Sequence, residues 1–232
     1  MGSTPASRTI SLLPMLQESV LSRLAHYRII PVIAIDKVDT ALPLADALLE
    51  GGLPIVEITF RTAAAAEVIR LLSKERPDLV VGAGTVLTRA NLEAAKASGA
   101  SFAVAPGLNP EIVKQAEHLD LPFVPGVATP TDIEAALGLE CKLLKFFPAE
   151  ALGGITMIEA LSAPYKHTGV RFIPTGGVTM SNLESYLKLD LVAAVGGTWL
   201  AKKEDLVAGK WDDIRDRCKA ALKLVAKVGA GH

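Results

Sequence analysis

The chain has 232 residues, with 24 basic and 25 acidic side chains and a formal net charge of -1. That balance shows no large basic excess of the kind that suggests nucleic acid, and no apolar run approaches the ~18 residues of a membrane span. Half of the residues are hydrophobic and only 5% are aromatic, so the core is expected to be aliphatic, as in a parallel sheet covered by helices.

The N-terminal residues 1–14 read as a loose polar lead-in without the long apolar segment of a signal peptide. A first helix is expected at about Met15–Tyr27. Short apolar runs then alternate with stretches of helical spacing. The runs are IIPVIAI from Ile29, IVEITF from Ile55, LVVGAGTV from Leu79, FAVAPG from Phe102, PFVPGV from Pro122, LLKFFPA from Leu143, RFIPTGG from Arg171 and VAAVGGT from Val192. Between them, Gly51 and Gly52 end one helix, and Thr88 and Gly99 bracket another. Thr131 and Glu134 have capping-box spacing before AALG. Residues 228–232 read as a frayed end.

Eight strands alternating with helices predict one (β/α)8 TIM barrel domain over 1–232, with an extra N-terminal helix. An open doubly wound sheet is the runner-up, weakened because no GxGxxG follows the first strand. Cys141 and Cys218 lack metal or CxxC spacing, which suits reduced thiols in a cytoplasmic protein. The four histidines show no ligand spacing, and no metal or cofactor is required by any motif.

Active sites of such barrels lie at the C-terminal ends of strands. Glu57, Thr59 and Arg61 share one parity, so they point to one side. Lys145 shares a face with Leu143 and Phe147. Burial disfavours the ammonium form, and a neutral amine is a nucleophile that forms Schiff bases with carbonyls. The competing reading is a lysine that snorkels to the rim or pairs with Glu150. Glu57 is either a structural partner for a cation or a general acid/base. Arg61 could pair with Glu57, lie on the surface, or clamp a substrate carboxylate. Two Gly-Gly pairs, in PTGG (Pro174–Gly177) and VGGTW (Val195–Trp199), end the last two runs. Loops at those positions often bind phosphate through backbone N–H groups.

KFFPAE at Lys145–Glu150, VEITFRT at Val56–Thr62, GAGTVL at Gly82–Leu87 and PTGG at Pro174–Gly177 resemble the 2-keto-3-deoxy-6-phosphogluconate (KDPG) aldolase family. Its bifunctional form is also called 4-hydroxy-2-oxoglutarate (KHG) aldolase. The resemblance runs from about Arg28 to Trp211. It implies a cytosolic, homotrimeric class I lyase that needs no metal and binds a small keto-acid phosphate, with no nucleic-acid or membrane partner. The implied reaction cleaves KDPG to pyruvate and glyceraldehyde 3-phosphate in the Entner–Doudoroff pathway, with KHG as a second substrate. Carried over residue by residue, Lys145 matches the Schiff-base lysine and Glu57 the proton-shuttling glutamate. Arg61 and Thr85 match groups that hold the pyruvyl carboxylate, and Pro106 and Phe147 match apolar pocket residues. Thr175, Gly176, Gly177 and Gly197 match the hydroxyl and phosphate side. Thr198 stands where the family often has serine, which leaves preference for the galactonate epimer of KDPG open. A non-covalent phosphosugar epimerase or isomerase, and a non-catalytic sugar-acid phosphate binder, are the remaining alternatives.

Overall fold

The computed structural model describes residue 20 and residues 22–229. The expected lead-in, and positions 15–19 of the expected first helix, lie outside the described residues. Residues 22–27 are helical and form α1. Strands and helices then alternate: β1 (Ile29–Ile33), α2 (Ala41–Glu50), β2 (Ile55–Thr59), α3 (Ala65–Glu75), β3 (Val80–Gly84) and α4 (Arg89–Ala97). The order continues with β4 (Phe102–Val104), α5 (Pro110–His118), β5 (Phe123–Val124), β6 (Gly126–Val127), α6 (Pro130–Gly138) and β7 (Leu143–Phe146). Then follow α7 (Gly154–Ser162), β8 (Arg171–Pro174), α8 (Leu183–Leu187), β9 (Val195–Gly197), α9 (Lys203–Val207) and α10 (Trp211–Gly229). Residues 228 and 229, expected to fray, are the end of α10.

The closed eight-stranded barrel expected from the sequence is corrected by the hydrogen bonding. The ladders form two parallel sheets, one of six strands in the order β5-β4-β3-β2-β1-β9 and one of three in the order β6-β7-β8. One break falls at Pro125, which has no N–H to give a ladder. The PFVPGV run is therefore two strands: Phe123 and Val124 pair with β4, whereas Gly126 and Val127 pair with β7. The other break lies between β8 and β9, where only two isolated bridges form, Phe172 with Val192 and Thr175 with Gly196. There the Val192 amide donates 2.9 Å to Leu189 O, inside its own turn, and the Val195 amide donates 2.9 Å to Arg28 O. The run expected from Val192 becomes a strand only at Val195.

The strands β1, β2 and β3 are buried at every position, because helices cover one face and other strands the opposite one. The helices supply apolar stripes. In α3, Ala65, Val68, Ile69 and Leu72 are buried, the i, i+3, i+4, i+7 spacing of one helical face. These residues belong to a contiguous core dominated by Ile, Val, Leu and Ala. Thr88 caps α4 as expected, its hydroxyl accepting from the Asn91 amide at 3.1 Å. The capping box of α6 sits two residues earlier than expected. Thr129 Oγ1 accepts from the Asp132 amide at 3.3 Å, and Asp132 Oδ2 accepts from the Thr129 amide at 2.9 Å. Pro130 at the first helical position favours that start. Glu134 instead accepts from the Tyr165 hydroxyl at 3.0 Å.

Candidate active site

Strand β7 carries Lys145 and β2 carries Glu57, and both side chains point into the interior. Lys145 is 5% exposed and Glu57 is 3% exposed, so neither snorkels to water. Lys145 Nζ donates to Glu57 Oε1 at 3.2 Å. The alternative pairing of Lys145 with Glu150 does not occur, since Glu150 accepts from the Tyr186 hydroxyl. Lys145 Nζ also lies 5.9 Å from the centre of the Phe147 ring, within reach of the ring's negative face. The shared parity of Lys145 and Phe147 is thus realised.

Glu57 has room only because residue 84 has no side chain. A Cβ built on Gly84 would stand 2.1 Å from Glu57 Oε1, far inside van der Waals contact. The next residue, Thr85, leaves β3 with φ of 57°, a conformation rarely adopted by a β-branched residue. The close approach at Gly84 and the left-handed turn at Thr85 together end β3 beside the carboxylate.

Arg61 lies beyond the end of β2 and is exposed. Its Nε donates to Thr59 Oγ1 at 3.1 Å, and Thr59 Oγ1 donates to Ile33 O of β1 at 3.3 Å. Among the described residues, the ion-pair partner of Glu57 is Lys145 and not Arg61. In the sequence Thr59 stands out only by its parity with Glu57 and Arg61. Its part in orienting Arg61 depends on the neighbouring strand, which single-strand periodicity does not reveal.

Lys145 is in register with Gly126 of β6. The Pro106–Gly107 backbone lies against Gly126, so closely that a Cβ there would come 2.1 Å from Pro106 O. This brings half-buried Pro106 beside the lysine strand. On the other flank, the Thr175 amide donates 2.9 Å to Phe146 O, and Thr175 bridges to Gly196. Half-buried Gly176 packs on the Phe147 ring, while Gly177 is exposed. Gly197 ends β9 and is buried; Thr198 follows it and is exposed. Arg61 and Thr198 line a common cavity of about 470 Å³ with Val32, Asp36 and Lys202.

A second cavity, of about 520 Å³, lies at the N-terminal ends of the strands and is lined by Lys166, Arg171, Lys188 and Asp190. All four of these side chains are exposed, so they form no desolvated acid–base pair like that of Lys145 and Glu57.

Residues 20–217 match the family described as KDPG and KHG aldolase. The chain belongs to that aldolase family. It is 47% identical over 208 residues to the 2-dehydro-3-deoxy-phosphogluconate aldolase of Haemophilus influenzae, covering 90% of this chain and 97% of that one. A crystal structure of KDPG aldolase from Legionella pneumophila, with pyruvate captured as a covalent carbinolamine intermediate, is 39% identical with a TM-score of 0.83 and covers 87% of this chain and 97% of that one. The KDPG aldolase of Zymomonas mobilis with 3-phosphoglycerate is 36% identical with a TM-score of 0.80, covering 88% of this chain and 95% of that one. Membership of the KDPG and KHG aldolase family makes this chain a carbon–carbon lyase by descent, on a scaffold whose buried Lys–Glu pair faces the strand ends.

Proposed function

We propose that this chain is a Schiff-base aldolase that cleaves KDPG to pyruvate and glyceraldehyde 3-phosphate, and that it also cleaves KHG to pyruvate and glyoxylate. The buried contact between Lys145 and Glu57 carries this reading. It places a nucleophilic amine within hydrogen-bond reach of a carboxylate able to move protons, in a space that excludes water. The pyruvate carbinolamine of the Legionella relative supports the covalent route.

Neutral Lys145 attacks C2 of the keto acid. Glu57 takes the ammonium proton of Lys145 and gives it to the C2 oxygen as the C–N bond forms; it then takes one proton from the adduct nitrogen and returns it to the departing hydroxyl, so water leaves, the iminium forms and Glu57 is left as a carboxylate. The iminium is the electron sink. Glu57 then accepts the C4 hydroxyl proton, directly or through a water, and the C3–C4 bond breaks. Its electron pair passes into the enamine, and the aldehyde leaves. Protonation of the enamine at C3 and hydrolysis of the iminium release pyruvate and restore the amine. Arg61, Thr59-oriented, and Thr85 hold the carboxylate end. Thr175, Gly176, Gly177, Gly197 and Thr198 hold the hydroxyl and phosphate end. Fixing both ends aligns the breaking bond. Pro106 and Phe147 line the apolar part of the pocket. No metal ion takes part in these steps. The homotrimeric assembly and the cytoplasmic location implied by the family are carried as part of this proposal.

Pyruvate with borohydride tests the reading. Inactivation with a reduced pyruvyl adduct on Lys145 is expected, and EDTA leaves activity unchanged. An unmodified Lys145 with retained activity overturns the covalent route, and loss of activity with EDTA overturns the metal-independent one.

A further inference from the structure

The terminal glutamate of KFFPAE has no part in the chemistry above, yet it is built into the structure with unusual care. Glu150 opens a 3-10 turn just after β7. Its amide donates 3.0 Å to Gly176 O, and the Ala149 amide donates 2.8 Å to Thr175 O. Its side chain then folds over Gly177. A Cβ on Gly177 would come 2.5 Å from Glu150 Cβ, and the glycine has φ of +81°. Only glycine suits both the left-handed backbone and the missing volume. Beneath, Tyr186 of α8 is fully buried, and its hydroxyl donates to Glu150 Oε1. Burial, and then the adjoining carboxylate, raise the Tyr186 phenol above its ordinary range, so it stays a donor.

An exposed carboxylate is an odd neighbour for a turn assigned to an anion, because like charges repel at short range. The Tyr186 hydroxyl resolves this. It ties one carboxylate oxygen down to the buried Tyr186 ring beneath the turn. We infer that Tyr186 and Glu150 are a positioning pair that fixes the Thr175–Gly177 turn and makes it selective for a phosphorylated substrate end. Without the phenol hydroxyl, the Glu150 side chain is free to swing towards the anion, and its packing over Gly177 is no longer fixed. The inference rests on the proposed reaction and on the assignment of this turn to the phosphate side.

The test compares two substrates of one enzyme, KDPG, which carries a phosphate, and KHG, which does not. Wild-type turnover of both, with borohydride trapping at Lys145, first checks the proposed reaction on its own. Tyr186→Phe is then expected to raise KM for KDPG about tenfold, with kcat within about twofold and kcat/KM for KHG nearly unchanged. Inorganic phosphate should inhibit the variant correspondingly less. Adding Glu150→Gln to Tyr186→Phe removes the freed charge and should recover most of the KDPG affinity. Thermal unfolding of each variant reports folding separately. Equal losses on both substrates, or an unchanged KM for KDPG, overturn the inference while leaving the wild-type reaction standing. Should Tyr186→Phe fail to fold, Glu150→Gln alone decides: unchanged or tighter phosphate inhibition supports the assignment, and losses shared equally by KDPG and KHG overturn it.

Discussion

Lys145 and Glu57 are 88 positions apart in the chain and lie on two different sheets, yet their Nζ and Oε1 atoms are 3.2 Å apart and buried. Neither side chain could remain charged and alone there, because removing one partner of a buried pair costs about 3–5 kcal/mol. Glu57→Gln keeps a hydrogen-bonding oxygen for Lys145 but removes the proton carrier. It is expected to lower kcat about 10²–10⁴-fold while pyruvate and borohydride still label Lys145. Steady-state rates and intact mass measure the two effects, and normal turnover by this variant would remove Glu57 from the proton-transfer role.

Thr85 holds a left-handed backbone at the mouth, with φ of 57°. Asparagine tolerates that conformation better than a β-branched side chain. Thr85→Asn is therefore expected to stabilise the fold by about 1 kcal/mol, while raising KM for the keto acid. A denaturant titration beside a kinetic run checks the trade-off. A variant that is less stable would show that the Thr85 turn stores no strain.

The corner between α9 and α10 supplies a pH dependence. Arg217 Nη2 donates to Asp205 Oδ2 at 2.6 Å. Burial works to raise the Asp205 carboxyl, but the bond to Arg217, the Lys202 amide and nearby Lys210 together hold it below the usual carboxylate range. A carboxyl lowered in the folded state adds stability that is fully present above its unfolded pKa and is lost as pH falls through the folded one. Asp205→Asn should cost about 1.5–3 kcal/mol at neutral pH and flatten the decline of stability below pH ~4. Unfolding midpoints across acidic pH measure this, and an unaltered acid slope in the variant would count against Asp205 as its source.

The cap of α6 distinguishes two neighbouring threonines. Thr129→Ala removes the hydroxyl that accepts from the Asp132 amide and should cost about 1 kcal/mol. Thr131→Ala, at an exposed position inside the helix, should be near neutral. Equal effects in chemical denaturation would contradict the observed cap.

Several of these features were readable from the chain alone, for definite reasons. Parity along IVEIT and LLKF depends only on the two-residue repeat of a strand, so the sequence shows that Lys145 shares a face with Phe147, and Glu57 with Thr59, but only the folded chain shows that Glu57 and Lys145 face inward. The capping box was misplaced by two residues because Thr129 and Thr131 have similar local patterns, and Pro130 decides between them. The missing amide at Pro125 is written in PFVPGV itself, but reading that run for its apolar content alone passes over it, and the continuous eight-strand ladder breaks there. At Val192, the amide is taken by a turn that no strand pattern encodes. The partner of Glu150 was out of reach for another reason: Tyr186 lies 36 positions away, and a tyrosine in an amphipathic helix resembles any packing residue.

Gly84 shows how a site can depend on matter that is left out. The volume that any larger residue would fill there is occupied by the carboxylate from the adjacent strand. Gly84→Ala would keep every chemically active residue in the chain, yet its one methyl would push the Glu57 carboxylate out of its place. In hereditary terms, a change at this silent position strikes the same carboxylate as a change at Glu57 itself, and a search for reactive side chains would pass over it.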